Sequence, residues 1–251
     1  MKSSAYQSLY NSLYADKDYE GEVATVLKAC RQPISSLLDS GCGTGKHAGF
    51  FASRGIAVTG VDVDCGMIKM AKESLSHRFP KKWPRPRFYV GGPEAAPPGP
   101  YDAATCLFNV VNYVTKFPDL VTFFSRIAER LPGRAPLVFD AWNGLAALLD
   151  PPKTKSKVIT RAGTRFSCTT RSTVNLWRQL ATLKVDIAVE PPLNGIKRAT
   201  HRFVHRLWTP QDLIGALGLA GFTTPKVATW NNLNKTASVH DWKLLFIARK
   251  K

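Results

Sequence analysis

Leu38-Asp39-Ser40-Gly41-Cys42-Gly43-Thr44-Gly45 is the stretch whose reading decides the fold. Ahead of it, Ile34-Ser-Ser-Leu-Leu-Asp39 is short and apolar, as a buried strand is. Behind it, His47 to Arg54 reads as a helix that Gly55 ends. Glycines at alternate positions between strand and helix let the backbone turn tightly and lie against a ligand with no side chain between. Ile56-Ala-Val-Thr-Gly-Val-Asp62 reads as the next buried strand, and its closing acid stands 17 residues past Gly45. That is close to the spacing of about 20 residues at which a carboxylate accepts hydrogen bonds from ribose hydroxyls. Gly43-Thr-Gly45-Lys-His-Ala48 also fits a loose dinucleotide fingerprint, so the glycines alone leave two ligand classes open.

Outward from this unit the same alternation continues. Residues 1–30 read as helical, Met67 to Leu75 as a helix and Arg87 to Val90 as a strand. Residues 91–100 form a loop rich in proline and glycine. Tyr101 to Asn109 reads as a strand, Leu120 to Leu131 as a helix and Pro136 to Asp140 as a strand. Near-continuous apolar strands alternating with helices imply a parallel sheet covered on both faces, with ligands at the carboxyl ends of its strands. The pattern changes after Pro151-Pro152. Threonine- and valine-rich runs between 157 and 190, a turn at Pro191–Gly195 and Ala199–Leu207 read as antiparallel strands. Thr209-Pro210-Gln-Asp212 opens a helix that ends near Gly221, and two strands follow, around Val227–Trp230 and over Trp242–Ala248.

Composition bounds the function. Hydrophobic residues make up 44% of 251, enough for a real core. The cysteines at 30, 42, 65, 106 and 168 form no CxxC pair and no disulfide framework. No apolar run approaches the roughly 18–20 residues of a membrane span, and Met1-Lys-Ser-Ser-Ala-Tyr6 lacks a signal-peptide core. These features predict a soluble, cytoplasmic protein. Lys plus Arg outnumber Asp plus Glu by 35 to 18, a net charge of +17. Residues 151–208 alone hold 12 basic and 2 acidic residues, so the excess is concentrated there. Nucleic acid, an anionic membrane surface or an anionic small substrate would each explain it.

The element Asp39-x-Gly41-x-Gly43-x-Gly45, followed by Asp62 at the end of the second strand, resembles the class I S-adenosylmethionine-dependent methyltransferases. Asp39 favours that family over a dinucleotide site, since a pyrophosphate would meet a carboxylate there. Further motifs resemble a subgroup that includes the nucleotide-linked aminosugar N,N-dimethyltransferases. They are Leu9-Tyr10-Asn-Ser-Leu-Tyr14-Ala-Asp-Lys17-Asp-Tyr19, Cys106-Leu-Phe-Asn109-Val-Val-Asn112-Tyr113, Val138-Phe-Asp140-Ala-Trp142 and Thr209-Pro-Gln-Asp-Leu. The resemblance implies a Rossmann-like α/β fold. Residues 1–150 and 209–251 would form a core with a seven-stranded, mostly parallel sheet closed by a reversed hairpin. Residues 151–208 would form an antiparallel cap over the acceptor.

The resemblance also implies S-adenosylmethionine as cofactor and methyl transfer by in-line displacement to N or O of a small-molecule acceptor, a sugar or secondary metabolite. By it, Asp39, Gly41, Cys42, Gly43 and Gly45 approach the methionine part and Asp62 holds the ribose. Tyr10, Tyr19, His47, Val63, Met67, Phe108 and Asn109 join them as cofactor contacts. The family usually carries an adenine-contacting Asp after the third strand; here Gly92 stands in that place and Glu94 is the nearest substitute. Tyr14 is the first catalytic candidate, since the subgroup's second tyrosine lies near the methyl. His201 and His205, four apart, share one face of a strand and can each serve as a general base. Asn112, Tyr113, Trp142, Arg202 and Arg206 are the acceptor-binding candidates, the arginines suited to an anionic group. No metal site and no membrane partner are expected, and the chain would act as monomer or homodimer. Two rival readings remain, an RNA methyltransferase and a cofactor-binding protein without transferase activity.

Overall fold

The computed structural model describes residues 12–75, 79–161, 163–191, 195–230 and 232–251. Its main sheet is built on β1 (Ser36–Ser40), β2 (Ala57–Asp62), β3 (Arg87–Val90), β4 (Ala103–Cys106) and β5 (Pro136–Trp142), all parallel. Helices α1 (Tyr19–Cys30), α2 (Lys46–Ala52), α3 (Cys65–Ser74) and α4 (Phe117–Ala128) alternate with them, and α5 (Gly144–Leu149) follows β5. Successive residues of a strand point to opposite faces. Leu37, Val138 and Leu245 therefore pack with Val23, Val26, Phe51 and Ile68 on one side of the sheet. Leu38, Leu137, Phe139 and Phe246 pack with Leu120, Phe124, Leu213 and Leu217 on the other. Both faces are buried, which is why these strands read as unbroken apolar runs.

Strand β12 (Lys243–Arg249) runs antiparallel beside β5, and β10 (Lys226–Thr229) runs antiparallel beside β12. This is the expected reversed hairpin. One strand more is present than expected. Asn232–Thr236 (β11) pairs with β10 at the sheet edge, giving eight strands in the order β11-β10-β12-β5-β4-β1-β2-β3. Its sequence, Asn-Leu-Asn-Lys-Thr, carries no apolar alternation, and its register with β10 shifts between Ala228 and Thr229.

A second, four-stranded antiparallel sheet follows α5: β6 (Lys155–Arg161), β7 (Thr164–Asn175), β8 (Leu180–Glu190) and β9 (Lys197–Arg206). Register fixes its two faces. Phe166, Cys168, Val185 and Ile187 share the inner face, with Phe203 packed against them. Arg165 and Arg171 lie on the outer face, paired with Glu190 and Asp186 of β8. The chain returns to the main sheet through Leu207 and Trp208, both buried. The Trp208 indole donates to the carbonyls of Val111 (3.2 Å) and Val114 (3.0 Å). Helix α6 (Pro210–Leu219) then starts on a capping box in which Thr209 and Asp212 satisfy each other's backbone amides.

Candidate active site

β1 lies between β2, which leads outward to β3, and β4, which leads the other way, so the sheet's switch point falls between β1 and β4. A cavity of about 360 Å³ opens at the carboxyl ends of these strands, a volume that suits a small molecule. The glycine loop forms its floor. The amides of Gly41 and Cys42 both donate to the carbonyl of Val61, at 2.8 and 3.0 Å. Gly41 has φ +79°, and a Cβ there would stand 2.5 Å from Val110 Cγ2. Gly43 has φ +55°, and a Cβ there would project into open space. A ligand can therefore approach the loop's backbone directly.

Asp62 joins this loop to the second strand. Its Oδ2 accepts from the amide of Gly43 and its Oδ1 from the amide of Asp64, both at 2.9 Å. Beneath the floor lies Asp39, fully buried. Its Oδ1 accepts from the Thr105 hydroxyl at 2.9 Å, while Oδ2 has no hydrogen-bond partner among the described residues. Burial pushes the Asp39 carboxyl above its ordinary range.

Helix α1 supplies one wall. Tyr19 and His47 line the cavity and meet edge to face at 4.9 Å. His47 Nε2 lies 2.7 Å from the buried Glu22 carboxylate, which Lys17 also contacts. Burial alone would raise the Glu22 carboxyl, but hydrogen bonds from His47 and Lys17 outweigh it and hold the group below its usual range. Lys17 in turn lies over the rings of Tyr19 (4.5 Å) and Phe108 (5.0 Å). Burial lowers the Lys17 ammonium.

The opposite end of the cavity is aromatic. Tyr14, Phe108, Tyr113 and Phe203 all line it. Tyr14 meets Phe108 edge to face at 4.9 Å, and Tyr113 meets Phe203 likewise at 6.2 Å. Burial raises the Tyr14 hydroxyl and pushes that of Tyr19 up to about 12, whereas Tyr113 is 45% exposed. Tyr14 and Tyr19 stay protonated near neutral pH, able to donate or accept a hydrogen bond but not to act as bases.

Eleven expected residues line the cavity: Tyr14, Tyr19, Gly41, Cys42, Gly43, His47, Asp62, Val63, Met67, Phe108 and Tyr113. Tyr10 lies outside the described residues. Others do not reach the cavity, each for a physical reason. Gly45 starts α2 and packs against Phe88, whose ring a Cβ would meet at 2.8 Å. Glu94 turns back onto its own loop, where Oε1 accepts from the Gly92 amide at 3.2 Å; Gly91 and Gly92 line the cavity in its stead. Asn112 is fully buried and joins two elements: its Nδ2 donates to the carbonyl of Arg206, and its Oδ1 accepts from the amide of Trp142, each at 2.9 Å. Trp142 packs on His205 (4.8 Å) and Trp242 (5.9 Å).

On β9 the alternation separates the candidates. His201, Phe203 and His205 share the inner face, while Arg202 and Arg206 point to the outer one. Arg206 donates to the Arg178 carbonyl and to Gln179 Oε1, and its guanidinium lies 4.9 Å from the Trp208 ring. His205 sits behind Tyr113 at 4.3 Å, and burial lowers it to about 4. Only Phe203 of this group lines the cavity, and sequence reading passed over it between the two histidines. Lys46, Asp64 and Phe123 were missed as well. Phe123 lies on α4, far from the glycine loop in sequence, and no local pattern marks it.

Comparison with known proteins agrees with this geometry. Residues 37–132 match the family model described as a methyltransferase domain. A curated protein of Geobacillus sp. (strain WCH70), which its name calls a methyltransferase, is 28% identical over 149 residues. That match covers 56% of this chain and 57% of the relative. Among solved structures, an S-adenosylmethionine-dependent methyltransferase from Clostridium acetobutylicum ATCC 824 superposes with TM-score 0.80 at 16% identity, covering 98% of this chain and 97% of that one. A sugar N-methyltransferase from Streptoalloteichus sp. ATCC 53650 gives TM-score 0.80 at 20% identity, covering 100% and 94%. An amino pentose methyltransferase from Micromonospora echinaspora, solved with S-adenosylmethionine bound, gives 0.74 at 21%, covering 100% and 98%. At these identities the structures establish the fold, and the family match establishes the domain. Residues 37–132 match a methyltransferase domain, and the chain has the fold of S-adenosylmethionine-dependent methyltransferases.

Proposed function

We propose that the chain transfers the methyl group of S-adenosylmethionine to a nitrogen or oxygen of a small-molecule acceptor, a sugar or related metabolite. One observation carries this reading. A single cavity joins the glycine loop and Asp62 at one end to the neutral, aromatic end formed by Tyr14, Phe108, Tyr113 and Phe203 at the other. The residues fit the cofactor. Gly43 leaves its backbone open to the cavity, and Asp62 stands at the end of β2 where ribose hydroxyls would meet a carboxylate. The sugar N-methyltransferase and the amino pentose methyltransferase share this fold, which supports a sugar-type acceptor.

When bound, the cofactor supplies a methyl group on a sulfonium, ready for displacement. The chain's own residues do the rest. Asp62 and the amides of the glycine loop fix the cofactor. The aromatic end excludes water from the acceptor atom. The Tyr14 hydroxyl, held protonated, accepts a hydrogen bond from the acceptor's N–H or O–H and so turns the acceptor's lone pair toward the methyl; the proton released on transfer passes to solvent. Alignment of this kind supplies much of the catalysis without an obligatory base.

Transfer of labelled methyl from S-adenosylmethionine to a panel of amino sugars, sugars and phenols tests the proposal. Labelling of at least one small molecule is expected. Binding of the cofactor with no transfer across the panel would leave a binding protein. Transfer to RNA alone would move the function to the basic outer face of the second sheet.

A further inference from the structure

Phe108 adopts φ +74° and Asn109 φ +60°. A left-handed conformation is uncommon for any non-glycine residue and an outlier for a bulky one. Two such residues in succession, immediately after β4 and in the wall of the cavity, require something that holds them. The holder is visible. Asp140, on β5, is fully buried, with Oδ1 accepting from the Phe108 amide at 2.5 Å and Oδ2 from the Asn109 amide at 3.0 Å. In the orientation that satisfies both partners, the Asn109 carboxamide donates to Asp140 Oδ2 (3.0 Å) and accepts from Trp142 Nε1 (3.2 Å).

The charge of Asp140 is matched from the far end of the chain. Lys243 Nζ, on β12, lies 3.0 Å from Asp140 Oδ2. The same ammonium lies 3.7 Å from the centroid of the Trp230 ring and 5.7 Å from that of Phe108. A buried carboxylate with this partner and these amide donors has its lone pairs satisfied. The turn it holds presents the Phe108 ring edge to face with Tyr14.

We propose that Asp140 is a positioning residue: with Lys243 as its counter-charge, it locks the left-handed Phe108–Asn109 turn and so sets the aromatic wall against which Tyr14 and the acceptor are placed. This rests on the cavity being the methyl-transfer site. Asp140 does not line the cavity; it acts through two backbone amides.

Asp140→Asn keeps the shape of the side chain but turns a donor toward groups that are themselves donors. In that variant the affinity for S-adenosylmethionine, read by calorimetry, is expected to stay within about threefold. The kcat is expected to fall at least tenfold. Glycine tolerates positive φ, so adding Asn109→Gly to Asp140→Asn is expected to restore part of the lost kcat. Should Asp140→Asn fail to fold, Lys243→Met tests the same relation, with the same split between affinity and kcat. A readout without activity separates this inference from the assigned reaction. Fluorine NMR of 4-fluorophenylalanine at position 108 reports the Tyr14 contact, and the same label at Phe51, on the buried face of α2, reports the fold. Asp140→Asn or Lys243→Met is expected to move the first resonance and leave the second. An unmoved resonance at 108, an unchanged kcat, or equal losses of affinity and kcat would each overturn the proposal.

Discussion

The amide of Gly43 donates to Oδ2 of Asp62 across 2.9 Å, so the glycine loop and the acid after the second strand form one unit. Residues 19 apart in sequence thereby share one end of the cavity. Asp62 holds the loop and, in the proposed function, receives the cofactor's ribose. Asp62→Ala removes both. Hydrogen bonds to a charged group are worth about 1.5–3 kcal/mol, so the affinity for S-adenosylmethionine should fall about 10- to 100-fold. Calorimetry of wild type and variant checks this, and unchanged affinity would place the cofactor elsewhere.

Gly41→Ala should destabilise the fold and weaken cofactor binding together. The left-handed φ of +79° costs an alanine about 1–2 kcal/mol, and its Cβ would also stand 2.5 Å from Val110. Val110→Ala in the same chain should relieve the contact but not the backbone strain. Thermal melting of wild type, the single variant and the double variant separates these contributions. A Gly41→Ala protein with wild-type melting and affinity would contradict the geometry.

Tyr14→Phe keeps the ring that meets Phe108 and removes the buried hydroxyl. Turnover should drop by about tenfold or more, with little change in cofactor affinity. Because burial holds that hydroxyl protonated, the defect should be the same between pH 7 and 9. Equal turnover in wild type and variant would remove Tyr14 from the mechanism.

The pattern of legible and hidden features follows from the range of the interactions. The glycine loop, the acid at the end of the second strand and the last two strands could be read because each depends on local spacing or unbroken apolar runs, and the family resemblance added the reversed hairpin. Strand β11 was hidden because Asn232–Thr236 is polar and pairs only at an edge. The roles of Asn112 and Asp140 were hidden for a different reason: their partners lie 30 or more residues away along the chain. Arginines 202 and 206 looked like anion ligands by type. The period-2 alternation that groups His201 with His205 also sends both arginines outward and brings Phe203 in.

His205 makes a prediction about stability. It is 5% exposed, and neither ring nitrogen has a hydrogen-bond partner among the described residues. Burial lowers its pKa from 6.5 to about 4. Between these values the unfolded chain binds a proton that the folded chain refuses. Stability is therefore full above about pH 6.5 and falls as pH drops toward 4, by about 3 kcal/mol in all. His205→Leu removes this dependence and leaves no buried nitrogen unpaired. The variant should be at least as stable as wild type at pH 7 and lose less on acidification. Urea denaturation at pH 7, 6, 5 and 4.5 reads the difference, and parallel losses in both proteins would assign the acid sensitivity to other groups.

The most direct measurement is calorimetric titration of S-adenosylmethionine and S-adenosylhomocysteine into the purified protein, with NAD as control. Micromolar binding of the first two and none of NAD is expected from a cavity floored by Gly41–Gly43 and closed by Asp62. Binding of NAD alone, or of none of the three, would contradict the assignment of this cavity to the methyl donor.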